Sequence, residues 1–264
     1  MSSNDGDGFT LVTSKSKRRL KNQKPPSATM GGDLHGFYRV TKQQHMSKPA
    51  ATLIDQTLSS ISSKRYTLAT SGYLELLTTH IALLNKLQPT EIVCYGMGSP
   101  TDSQTSQWQV SLVLEMRDAL APIRVSAFDP VATDTDCKVL DSLGISTISE
   151  NEQARRAAHK GTVFYMPHCE QFLYENLVAA NWTRERLERV VVVGNRFARY
   201  REAQGEEEFA KRSPFLDRML RGGIEAVELP SEKHLRLKHP PYAFTDTCIQ
   251  YFGCDKLDMI DFSQ

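Results

Sequence analysis

The sequence predicts an α/β protein whose body is one mostly parallel sheet covered by helices on both faces, and three observations carry that expectation. Short apolar runs of four to six residues recur along the chain without polar alternation, the pattern of strands buried on both sides. Between them lie longer stretches with apolar residues at helical spacing. The run Glu91-Ile92-Val93-Cys94-Tyr95 passes straight into Gly96-Met97-Gly98 and then Ser99-Pro100, which reads as a buried strand turning toward a helix through a loop with no room for a Cβ. Such turns belong to three-layer, Rossmann-like sheets, which take their ligands at the carboxyl ends of the strands.

In chain order, residues 51–264 are expected to form this domain. Leu53, Ile54, Leu58 and Ile61 fall on one helical face, and Leu74, Leu77, Ile81, Leu84 and Leu87 make a second stripe that Gln88-Pro89-Thr90 ends. Strands are predicted at 92–95, 123–128, 145–148, 162–165, 190–193 and 226–229, with 248–252 as a last, edge strand. Helices are predicted near 103–120, 133–142, 151–159, 170–180 and 212–221, and the short connections suit right-handed βαβ units.

Length and composition bound the function classes. The chain has 264 residues, 40% of them hydrophobic and 24% charged, which is ordinary for one globular domain plus a tail. No apolar run approaches the roughly 20 residues that span a bilayer, so no membrane partner is expected. The N-terminus has no hydrophobic signal core, and a secretory route is not expected. Five scattered cysteines without a C-x-x-C fit reduced thiols, and neither they nor His234 and His239 have metal-ligand spacing. Residues 1–50 hold nine Lys/Arg against three Asp/Glu, leaving 23 against 28 for the rest. That segment, with Lys15, Lys17, Arg18, Arg19, Lys21 and Lys24 before Pro25-Pro26, is expected to be a disordered basic tail. It reads as a solubilising tail or an import signal, and only weakly as a nucleic-acid arm, since no aromatics interleave its charges.

The candidate ligand site is the set of loops after the strands: Gly96, Gly98 and Ser99 after the first, Asp129 after the second, His168 and Cys169 after the fourth, and Asn195 after the fifth. Thr101 stands where the dinucleotide fingerprint wants its third glycine, which weakens an NAD reading. A Gly-x-Gly turn with an acid after strand two is also the pattern of S-adenosylmethionine-dependent methyltransferases, but Cys94 occupies the place where those enzymes usually carry an acid. The competing reading is that the glycines serve only tight packing and Asp129 caps the next turn. In Met166-Pro167-His168-Cys169, a thiol at a helix N-terminus is expected to have a lowered pKa. Adjacent residues in extended chain point apart, however, so His168 and Cys169 are no default nucleophile–base pair. Asn195 can hold a turn or face the cleft, and Arg196 can meet an anion or solvent. No catalytic set and no metal site are assigned.

Taken together, YGMG, FDPV, LG, NE, FYMPHC with Tyr174, Asn176 and Leu177, then Asn181-Trp182, VVVGN with Phe197, and Phe244-x-Asp246-Thr247 resemble the sensitivity-to-red-light-reduced family over about residues 50 to 253. The basic tail after Phe9-Thr10-Leu11-Val12 resembles animal members, and Arg196 stands where the family often has Ser. The resemblance implies a regulator in circadian-clock input, clock-gene expression and haem biosynthesis, resident in cytoplasm and nucleus, with protein partners. It implies no established reaction. No Cys-Pro dipeptide is present, so regulation without direct haem binding is expected. Two function classes stay open: a regulator whose cleft binds a metabolite or partner, and an enzyme using an adenosine-containing cofactor, most simply a methyltransferase.

Overall fold

A computed structural model describes residues 49–86, 88–120, 123–238 and 242–262. The basic tail and Leu87 lie outside the described residues. The chain opens with α1 (Ala50–Thr70), α2 (Tyr73–Leu76) and α3 (Thr78–Lys86). Five parallel strands follow: β1 (Glu91–Tyr95), β2 (Arg124–Phe128), β3 (Ile145–Thr147), β4 (Thr162–Met166) and β5 (Val190–Asn195). β6 (Glu225–Glu228) and β7 (Thr247–Tyr251) complete a seven-stranded sheet in the order β3-β2-β1-β4-β5-β7-β6. The protein is therefore α/β and Rossmann-like, with a mostly parallel sheet between two helical layers.

Side-chain alternation along the strands explains why both faces are covered. Val191 and Val193 pack with residues of α1, α3, α4 (Gln104–Ala119) and α5 (Asp134–Ser142), whereas Val190 and Val192 pack with α6 (Gln171–Ala180), α7 (Arg184–Leu187), α8 (Phe197–Gln204), α9 (Glu206–Arg212) and α10 (Pro214–Arg221). A strand buried on both faces has no polar side to alternate with, which is why β5 reads as an unbroken valine run. Capping fixes the helix starts: Ser103 accepts from the Ser106 amide, Thr133 and Asp136 form a capping box, and Pro214 opens α10. The chain ends in the one-turn α11 (Cys254–Leu257).

Two expectations are corrected. β7 is not the edge strand. It runs antiparallel between β5 and β6, and the solvent-facing edge is β6, all four of whose residues are exposed. The helix expected near 151–159 is absent; that stretch is a turn-rich loop. Gln153 and Ala154 both adopt positive φ there (49° and 58°), and side chains rather than a helical ladder take up the loop's polar groups. Asn151 accepts from the Gln153 amide, and Asn181 accepts from the Ala158 amide. The short helices α7, α8 and α9 were not anticipated, because their apolar periodicity is too brief to register.

Candidate functional site

Because β1, β2, β4 and β5 run parallel, their carboxyl ends and the loops that follow share one edge, and all seven predicted residues lie there, Asn195 as the last residue of β5. Gly96 and Gly98 both adopt φ of +74°, a conformation that side chains resist. At Gly96 the space is also taken, since a Cβ would stand 2.6 Å from the Cys169 sulfur. The Gly98 amide donates to Asp129 Oδ2 (2.6 Å), and Asp129 Oδ1 accepts from the Val131 amide (3.0 Å). Asp129 therefore caps its own turn and cross-links it to the glycine loop.

Ser99 is occupied in the same way. Its hydroxyl donates to Asp136 Oδ1 (2.9 Å), which also accepts from the Thr101 amide (2.8 Å) and hydroxyl (2.7 Å). Asp136 Oδ2 takes the amide and hydroxyl of Thr133, both at 2.8 Å. Burial would raise this carboxyl's pKa, but the bonds from Thr133 and Thr101 outweigh it and hold the group below the usual range. Thr101, in the third-glycine position, thus anchors a loop that separates Gly98 from the first turn of α4 at Gln104. Between this loop and Asp129 lies a cavity of about 210 Å³, walled by Met97, Val110, Ala127, Leu140 and Ile148.

The loop after β4 is clamped from three sides. His168 sits at φ +56°, its amide donates to Asn195 Oδ1 (2.8 Å), and its Nε2 lies 3.3 Å from the Ala243 carbonyl. Asn195 Nδ2 reaches the Tyr200 hydroxyl (2.8 Å), and that hydroxyl donates to the Cys169 carbonyl (2.8 Å). Tyr174 donates to the Met166 carbonyl and accepts from the Asn195 amide, passing over Gly194, where a Cβ would stand 2.8 Å from both the Tyr174 hydroxyl and the Met166 oxygen. The Cys169 thiol points at the Tyr95 carbonyl (3.4 Å). Burial, with the charges of Asp129 and Glu170 behind it, pushes the thiol up to about 12. The expectation of a lowered pKa is therefore overturned: the thiol precedes the cap of α6 and is buried, so desolvation dominates.

Other motif residues prove to be clamps as well. The Tyr95 hydroxyl donates to Glu152, which Arg156 grips with two bonds (2.7 and 2.9 Å). Fully buried Asn181 accepts from the Ala158 amide (2.7 Å) and donates to the Arg156 and Leu177 carbonyls, both at 2.8 Å. Asp136 was not singled out from the sequence, although Thr133-x-x-Asp136 is a legible capping box, and Glu152 was marked only as part of the motif Asn151-Glu152.

A larger cavity, about 620 Å³, opens at the other end of the same edge, beyond β5. Arg196, Arg199, Glu228, Lys233, Tyr242 and Asp246 are among its walls. Arg196 pairs with Glu228 (3.5 Å) and Arg199 with Asp246, and Asp246 holds φ +56°. Of these residues the sequence pointed only to Arg196 and, through Phe244-x-Asp246-Thr247, to Asp246. Among the described residues no group of three or more His, Cys, Asp or Glu is placed to hold a metal ion, and no helix is long and apolar enough to cross a membrane.

The "SRR1 domain" family model matches residues 55–251. The chain is 42% identical over 114 residues to "Protein SENSITIVITY TO RED LIGHT REDUCED 1" of Arabidopsis thaliana, covering 42% of each protein. It is 36% identical over 118 residues to the "SRR1-like protein" of Mus musculus, covering 44% of this chain and 47% of that one. A third relative, the "SRR1-like protein" of Drosophila melanogaster, is 27% identical over 106 residues, 38% of its length. The matched stretches thus span less than half of each of these relatives. No solved structure matches. The family match takes in β1 to β7 and every clamp described above, and this chain belongs to the SRR1 domain family.

Proposed function

We propose that this chain is a regulatory protein that works by binding, with a metabolite seated at the carboxyl edge of its sheet and a protein partner reading the result. Its setting is taken to be that of the plant relative's name, a response to red light, extended to clock input, clock-gene expression and haem biosynthesis, in cytoplasm and nucleus. One observation supports this reading most. The motif residues Asp129, Cys169 and Asn195 spend their polar atoms on clamping neighbouring loops, which is the chemistry of a preformed binding edge. A direct test removes the gene from cells carrying a clock-gene luciferase reporter and restores either the wild type or Asn195→Ala. Rescue of period and haem content by the wild type alone is expected; unchanged rhythm and haem content after removal would refute the regulatory role.

The second reading is a methyltransferase, and the strand order favours it. A reversed seventh strand placed between the fifth and sixth is also the order of Rossmann-type methyltransferases. That likeness concerns fold and carries no chemistry by itself. A bound adenosine would have to use the lone pairs that Asp129 still has free beside Gly98 and Val131. Calorimetric titration with S-adenosylmethionine, with haem as a separate absorbance arm, separates the readings. Saturable binding that Asp129→Ala abolishes, with methyl transfer to a cell extract, would put the enzyme first.

A further inference from the structure

The cavity beyond β5 has walls of both signs. Arg196, Arg199 and Lys233 line it together with Glu202, Glu228 and Asp246. A fourth acid, Glu232, is taken up by the Phe244 amide (2.5 Å) and the Thr245 hydroxyl (3.1 Å), so three bases remain against three acids. The two ion pairs formed there are open to water, with side-chain exposures of 45% and 75% for Arg196 and Glu228 and 55% and 51% for Arg199 and Asp246. Pairs so exposed are weak and exchange partners at little cost.

A ligand of one charge sign would pair with half of this wall and set its charge against the rest. A ligand carrying an ammonium and a carboxylate a few ångströms apart answers both halves. The guanidiniums take the carboxylate in a two-pronged grip, and the freed carboxylates take the ammonium. The volume, about 620 Å³, lies within the range of roughly 300–1,000 Å³ usual for small-molecule sites. Tyr242, 81% exposed, stands at the wall as well and adds an aromatic ring to the charged groups there. We propose that this cavity binds an α-amino-acid zwitterion, either free or as the amino-acid end of an adenosine-linked metabolite. The inference deepens the metabolite-binding reading and rests on it, but its residues are not those around Gly98 and Asp129.

The test is calorimetric titration of the full chain with L-methionine and S-adenosylhomocysteine. Beside them run N-acetyl-L-methionine and L-methioninamide, each lacking one charge, and adenosine alone. Saturable binding of at least one zwitterion is expected, about tenfold or more weaker for either single-charge analogue and for Arg199→Gln or Asp246→Asn. Asn tolerates the left-handed backbone at 246, so the unliganded variant should melt with the wild type. Methionine and S-adenosylhomocysteine binding alike would identify a free amino acid; S-adenosylhomocysteine alone would identify the adenosine-linked form. Analogues or variants that bind as well as their parents overturn the proposal. If adenosine alone binds as tightly as S-adenosylhomocysteine and Asp129→Ala abolishes it, the zwitterion is refuted while the metabolite-binding edge survives. No binding by any of these ligands refutes the zwitterion, and the regulatory role is then judged by the cellular rescue.

Discussion

The two ends of the carboxyl edge use polar residues in opposite ways. At the β1–β2–β4 end, Asp129 and Asp136, with Asn195 at the end of β5, are engaged in hydrogen bonds that hold neighbouring loops, and the space left is a mostly apolar cavity of about 210 Å³. At the β5–β7–β6 end, the charged side chains meet in half-exposed pairs around about 620 Å³. The first arrangement holds backbone in place; the second leaves charges that a ligand can recruit. A glycine-rich turn after the first strand therefore marks where the fold is tied together, and the open chemistry lies where the reversed β7 keeps the loops apart.

If that contrast is right, the largest loss should come from untying the first end. Asp136→Asn keeps the shape but turns an amide donor toward a site where every partner donates, and it removes a buried charge bonded five times. A destabilisation of about 2–4 kcal/mol is expected from urea unfolding at pH 7. The sign with pH follows from the lowered carboxyl. Its contribution is complete above the unfolded-state value of about 3.9 and is lost as pH falls through the lower folded-state value. The gap between wild type and variant should accordingly close under acid. A gap constant down to pH 3 would mean that the charge contributes nothing.

How much of this was legible follows from the range of the interactions. The strands and the longer helices show in the sequence because burial on two faces or one stripe is a local pattern. The position of β7 does not, since its pairing with β5 joins Asn195 to Thr247 across a long separation and leaves no periodic trace. The seven candidate residues share one edge because each follows or ends a strand, but what two of them do there was half read: Asp129 caps the turn that follows it, one of the two alternatives, and Cys169 is buried where a helix-terminal thiol with a lowered pKa was expected. Asp136 could have been read from its capping box. The opposition of Arg199 and Asp246 could not, because it depends on where two distant loops end up.

The two glycines show the same contrast between tied and free at a smaller scale. Gly96→Ala meets both the left-handed backbone and the Cys169 sulfur, and about 2–4 kcal/mol of destabilisation is expected. Gly98→Ala meets only the backbone, because its nearest neighbour would be Ser106 Cβ at an ordinary 3.7 Å, and about 1–2 kcal/mol is expected. Adding Cys169→Ala to Gly96→Ala removes the overlap and should return part of the loss, a coupling of at least about 0.5 kcal/mol in a double-mutant cycle. Equal costs for the two glycine variants, with no coupling, would show that the thiol yields and that the close approach is not a constraint.

The smallest effect should come from the open end. Arg196→Gln breaks a 3.5 Å pair whose partner, Glu228, is 75% exposed on the edge strand β6, and water replaces the guanidinium without leaving a buried charge behind. The Arg196 amide bond to the Asp246 carbonyl (3.3 Å) is unaffected, because it is made by backbone. A change within about 0.5 kcal/mol is expected, insensitive to salt above physiological ionic strength. A loss of about 2 kcal/mol or more would place Arg196 among the groups that hold the fold, and the division of the edge into a tied end and a free end would fail at that residue.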